Sequence, residues 1–247
     1  MPALKLYYSS YTPSAATASS AQAVYPASNA ITTQVNKPWT ATSAGAEWLQ
    51  FDLGASRALA AICVHGVNFA TAQVYADNSA TPTTLVGTLT MGMDDNGRFK
   101  GSLAVATTAR YVRVSIAAGT PLSGATWSAG NLSVFAAALS PPVDPLYGNS
   151  KVKSVIPQSL TDLDNGVSVV DTIGPQYTLA TLEFSGGATT DLAQLMRTAR
   201  TFGTCWVDLG TPNRGEQWPM RHFEPDVTRT FAAYNRETMS LSFKEMV

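Results

Sequence analysis

Trp48-Leu49-Gln50-Phe51-Asp52-Leu53-Gly54 is the stretch that decides how this chain folds. Apolar side chains alternate around Gln50 and Asp52 until a glycine stops the run, which is the pattern of a half-buried strand entering a turn. Upstream lie Tyr25-Pro26-Ala27-Ser28-Asn29-Ala30 and a Lys37-Pro38-Trp39 turn. Downstream follow Ala61-Ile62-Cys63-Val64-His65-Gly66 and Arg110-Tyr111-Val112-Arg113-Val114-Ser115-Ile116, the second of which places Val112, Val114 and Ile116 on one face.

Further strands are expected at 3–8, 58–64, 71–76, 85–93, 98–105 and 131–137. Asn96-Gly97, after Asp94-Asp95, is the strongest hairpin signal because both residues tolerate positive φ. Ser28 or Asn29 suits a short helical turn, with a side chain bonded to backbone amides ahead of it. Many short strands with regular turn signals argue for an all-β sandwich. The order of these pieces resembles a discoidin-type, galactose-binding-like jelly roll over residues 1–139. Pro141, Pro142 and Pro145 make 140–149 a stiff connector.

Residues 150–247 read as a smaller β domain with one helix. Strands are expected at 152–156, 167–172, 177–184, 204–210 and 238–245. The helix, at about 190–202, carries Leu192, Leu195, Met196 and Ala199 on one side and Arg197 and Arg200 on the other. Arg214-Gly215-Glu216-Gln217-Trp218-Pro219 reads as an exposed loop with an anchor tryptophan. Strand, short helix, Arg-Thr-Phe-Gly turn and a terminal alternating strand ending in Lys244-Glu245 resemble the ring-forming domain of bacteriophage tail-tube and distal-tail proteins. The Tyr25, Trp39, 48–54 and 65–69 pieces are similar to sandwiches attached to phage minor tail proteins.

Composition narrows the function. Hydrophobic residues make up 45% and charged residues 13%, with a net charge of −1, so no electrostatic footprint exists for nucleic acid or an anionic membrane. A surface poor in ions suits burial against neighbouring subunits. Cys63 and Cys205 sit in apolar runs and read as buried free thiols. The N-terminus is too short and polar for a signal peptide, and no apolar run approaches the ~18 residues of a membrane span, so a cytoplasmic origin is expected.

No catalytic constellation is visible. His65 and His222 lack zinc-ligand spacing, and Asp94-Asp95 and Asp162 with Asp164 border Asn-Gly turns. Discoidin-like members that bind calcium usually carry Asp-Gly in the first long loop, where this chain has Asn29-Ala30-Ile31-Thr32; no metal and no cofactor is expected. Sugar binding is that family's other association. Tyr25, Trp39, Asn68 and Trp127 are the candidate glycan contacts, against the alternative that the tryptophans pack inward.

The phage resemblance implies a non-enzymatic tail-tip or baseplate subunit of the virion. It would form a homo-oligomeric ring, a hexamer or a trimer, bound to tail tube, hub and fibres, with Arg197, Arg200, Arg214, Trp218 and Arg221 as candidate interface residues. The alternative is a carbohydrate-binding module that adheres to a bacterial surface. A third reading, an accessory domain of a glycan-cleaving enzyme, lacks a carboxylate pair.

Overall fold

The computed structural model describes residues 4–32, 36–93 and 97–140. Of the remainder it describes the strands 151–155, 158–162, 168–172, 177–185, 204–208, 217–222, 229–233 and 236–245. The expected helix at about 190–202 lies outside the described residues, as do most of the connector and Asp94-Asp95-Asn96.

The first unit consists of β1 (Lys5–Tyr11), β2 (Ala15–Ala18), a 3-10 turn (Ala27–Ile31), β3 (Trp39–Thr40), β4 (Glu47–Val67), β5 (Thr71–Asp77), β6 (Leu85–Thr90), β7 (Gly92–Met93), β8 (Phe99–Ile116) and β9 (Ser128–Leu139). The alternation at 48–53 is realised: Leu49, Phe51 and Leu53 are buried in the main core with Val64, Val112 and Val114, while Trp48 and Asp52 face outward. The expected stop at Gly54 is not. Gly54 takes φ +76°, which glycine adopts without a Cβ clash, and the strand bends there and runs on to Val67.

Four sequence-level strands thereby become two. β4 and β8 form one antiparallel ladder from Glu47↔Ile116 to Val67↔Phe99, with register shifts between Asp52 and Arg57, Leu59 and Ala61, and His65 and Val67. Such irregularities increase local twist and bend the ladder. Both ends of β4 consequently meet the same segment. Trp127 Nε1 donates to Gly45 O, just before β4, and Asn68 Nδ2, just after it, donates to Ser123 O and Thr126 O.

Asn29 departs from its expected role. Its side-chain amide donates to Pro38 O, holding the 3-10 turn against the entry to β3, and the turn has no side-chain cap.

The second unit consists of β10 (Lys151–Val155), β11 (Gln158–Asp162), β12 (Ser168–Thr172), β13 (Tyr177–Ser185), β14 (Thr204–Asp208), β15 (Gln217–His222), β16 (Arg229–Ala233) and β17 (Arg236–Glu245). The expected alternation of β17 holds, with Met239, Leu241 and Phe243 buried opposite Phe184, Leu182 and Ala180 of β13. Trp218 belongs to strand β15 instead of an exposed loop, paired with Val207, while Pro219 pairs with Trp206. The ladder from β15 to β17 begins one residue past the proline, at Met220, so that ladder draws no donor from Pro219.

β1 joins the two units. It pairs with β9 on one side and β14 on the other, so a single sheet runs from β10 through β1 to β6. Leu4 and Leu6 enter the core of the second unit, and Tyr7 packs with Ala61, Cys63, Phe135 and Trp206 between the units. Both cysteines are buried free thiols, and desolvation pushes Cys63 and Cys205 above the ordinary thiol range.

Beside this apolar contact lies a buried charge cluster. Glu245 Oε1 of β17 sits 3.6 Å from His65 Nε2, 3.7 Å from Lys100 Nζ and 3.7 Å from Arg98 Nη1. Burial, then Lys100, then Arg98 hold the His65 pKa well below 6.5, so the imidazole is neutral, and the Glu245 carboxylate lies within 3.7 Å of both Lys100 and Arg98. Glu245→Ala is expected to lower unfolding free energy by about 3–5 kcal/mol, read by urea denaturation, because two cations lose this carboxylate. The sign of the histidine effect follows from linkage: below pH 6.5 the unfolded chain binds a proton that the folded chain refuses, so stability falls with acid from that point downward. His65→Gln is expected to flatten the stability slope between about pH 6.5 and 5.

Candidate functional site

The loops of the sandwich gather at two poles of opposite character. At the first, 52–58 and 77–84 carry charge, and every charged group there has an assigned partner. Arg110 grips Asp52 in a fork, Nε to Oδ1 at 2.8 Å and Nη2 to Oδ2 at 2.9 Å. That contact, with the Gly54 amide added, holds the Asp52 pKa below its ordinary range. Arg113 Nε donates to Gln50 Oε1 at 2.9 Å, and its guanidinium lies 4.4 Å from the Trp48 ring centroid. Arg110 lies 5.0 Å over Tyr111, and Arg57 5.7 Å over Tyr11. Asp77 accepts the amides of Ser79, Thr83 and Thr84, which close the 77–84 loop, and the Thr83 bond is the leading reason its pKa is lowered. Aromatic faces here are covered by guanidinium groups.

The second pole is built from 19–26, 41–46, 68–70 and 117–127. Gln22 and Tyr25 close a tight turn, Tyr25 N donating to Gln22 O at 2.9 Å, which pushes Ala23 and Val24 to the tip. The tip is laced to β3 by Gln22 N to Thr40 O and Thr40 N to Tyr25 O. Gly119 N donates to Ala44 O and Leu122 N to Asn68 O, tying the last loop to the other two. Val24, Tyr25 and Leu122 are exposed large apolar residues, with Tyr25 39% accessible.

Beneath the tips, Glu47 is the knot. Its carboxylate is nearly buried and accepts hydroxyls from Ser19 on Oε2 and from Ser20 and Ser43 on Oε1, the latter two at 2.8 Å. Burial opposes ionisation, and the three serine hydroxyls outweigh it and hold the pKa below 4.5. One carboxylate thus fixes two loops to the start of β4. No sequence argument singled it out; the available signal was that Glu47 is the one carboxylate among residues 19–47.

Of the four candidate glycan contacts, one is open. Trp39 is fully buried with Nε1 donating to Ser20 O, and Trp127 is 4% exposed with Nε1 on Gly45 O. Asn68 is buried and spends its amide on Ser123 O, Thr126 O and the Ser128 amide. These three hold the loops in place, and Tyr25 alone of the four presents its ring. Of the candidate interface residues, Arg197, Arg200 and Arg214 lie outside the described residues, and Trp218 and Arg221 stand in β15. Among the described residues no group of three His, Cys, Asp or Glu could hold a metal.

Residues 15–130, which span both poles, match the family model for the F5/8 type C domain. The first unit carries the match to that family. No curated protein matches the chain. Among solved structures, chitosan-binding module 1 of a chitosanase/glucanase from Paenibacillus sp. IK-5 is 25% identical (TM-score 0.44; 51% of this chain, 96% of that one). The family 32 carbohydrate-binding module of C. perfringens NanJ, solved with galactose, is 22% identical (0.43; 53% and 98%). The CBM32 of AlyQ, solved with 4,5-unsaturated mannuronic acid, is 20% identical (0.42; 53% and 100%).

These findings correct the tail-tip expectation. What the sequence matches, over residues 15–130, is the F5/8 type C domain, and nothing found points to a phage baseplate, a ring oligomer or tail partners.

Glu47→Ala is expected to destabilise the first unit by about 3 kcal/mol, since three hydroxyls lose a charged acceptor. Because its folded pKa is depressed, the Glu47 contribution is complete above about pH 4.5 and is lost as pH falls through the folded value. Thermal unfolding at pH 7 and pH 3 checks both: the gap between wild type and variant should close in acid.

Proposed function

We propose that the chain is a non-catalytic carbohydrate-binding module whose ligand is held at the pole carrying Tyr25. The observation that carries this reading is an exposed tyrosine, with no guanidinium over its ring among the described residues, on a hydroxyl-rich loop cluster within the stretch that matches the F5/8 type C domain. An open aromatic face beside hydroxyls and backbone amides suits the apolar face and equatorial hydroxyls of a pyranose. The carboxylate knot supports the reading by making the loops a preformed platform, which lowers the ordering cost of binding. A hydrolase of the common type needs two carboxylates facing the scissile bond. Residues 19–47 and 117–128 hold one, Glu47, and the serines occupy it.

The sugars of the modules named above, chitosan, galactose and mannuronic acid, together with bacterial surface polysaccharide, are the ligands to try. Titration calorimetry with the full chain is expected to give saturable binding to at least one of them. Tyr25→Ala is expected to weaken it about tenfold or more, close to 1.4 kcal/mol, with an unchanged melting temperature. Absence of binding to all of them, or binding untouched by Tyr25→Ala, would overturn the proposal.

A further inference from the structure

The charge distribution around this pole specifies its ligand more narrowly. Within residues 19–47 and 117–128, from which nearly the whole pole is made, Lys37 and Glu47 are the only side chains with a formal charge. Glu47 is 7% exposed, and both its oxygens accept serine hydroxyls. A protonated amino sugar could pair with it only by displacing those bonds and unfastening the loops. Lys37 is exposed beside Pro38, where one solvated lysine contributes about 0–1 kcal/mol to an anion. The exposed rim is Val24, Tyr25 and Leu122 with Thr42, Ser123 and the backbone between them. A charged sugar laid on that rim gives up hydration and, among the described residues of the pole, meets no counter-charge beyond the solvated Lys37 to replace it.

We infer that this pole selects electrically neutral saccharides, such as galactose or N-acetylated hexosamine chains, over amino sugars and uronates that share the same ring. The inference rests on the carbohydrate-binding reading of the same site. The arginines of the opposite pole do not offset it, since Arg110 is forked to Asp52 and Arg113 is bonded to Gln50. Neutral recognition also fixes the salt dependence: with no ion pair formed, added salt has nothing to screen.

The test is calorimetric titration of the full chain with a chitosan oligosaccharide, its fully N-acetylated counterpart, galactose and a mannuronate oligomer, each at low and high sodium chloride. The first two share one backbone and differ in charge and acetyl group, which isolates the effect. The expected result is binding of the neutral sugars about tenfold or more tighter than the charged ones, insensitive to salt and to Lys37→Gln, and weakened about tenfold or more in Tyr25→Ala. Equal or tighter binding of the amino sugar or uronate, weakened by salt, would overturn the inference and leave the carbohydrate-binding reading standing. Failure of every sugar to bind would overturn that reading and this inference with it.

Discussion

The bent ladder between β4 and β8 is the constraint on which the rest of the molecule depends. A straight pair of strands of that length would place Glu47 and Val67 far apart; the bend at Gly54 and the register shifts bring both to the loop at 117–127. Everything at the Tyr25 pole follows from that return. The serine knot, the Asn68 clasp and the two indole hydrogen bonds all tie segments distant in sequence. They can do so because the ladder has already delivered them to one place.

The sandwich itself was legible because period-2 alternation is a local property. Leu49, Phe51 and Leu53 point inward as their spacing requires, and Val112 and Val114 do the same. What alternation does not carry is direction within a loop. Trp39, Trp127 and Asn68 have the chemistry of a sugar site and instead use every polar atom to hold backbone, and nothing local distinguishes the two uses. Asp52 and Arg110, or Gln50 and Arg113, are about 60 residues apart in sequence, so their pairing depends on a register set by the fold. Gly54 differs from the expected turn for a related reason: a positive-φ glycine serves a bulge as well as a turn, and the deciding factor is the partner strand.

The second unit was legible in most of its strands and not in its attachment. Trp218-Pro219 carries the residues of a loop, and it stands in a strand because Val207 and Trp206 lie opposite. The functional expectation failed where it rested on short patterns, an amphipathic run and a terminal alternation, that many β proteins share. The match that displaced it spans residues 15–130, a length over which order and spacing together become specific.

The double pairing of β1 has a consequence for the order in which the chain is made. β1 leaves the ribosome long before one of its two neighbours, β14, which begins at residue 204. Between those two moments its outer edge and the half-assembled face bearing Cys63 and His65 stand open. An unpaired edge of that kind is the usual site of wrong association, and contacts so distant in sequence close slowly. Competition between completing the chain and pairing with a stranger is thus set by the position of a single strand in the gene.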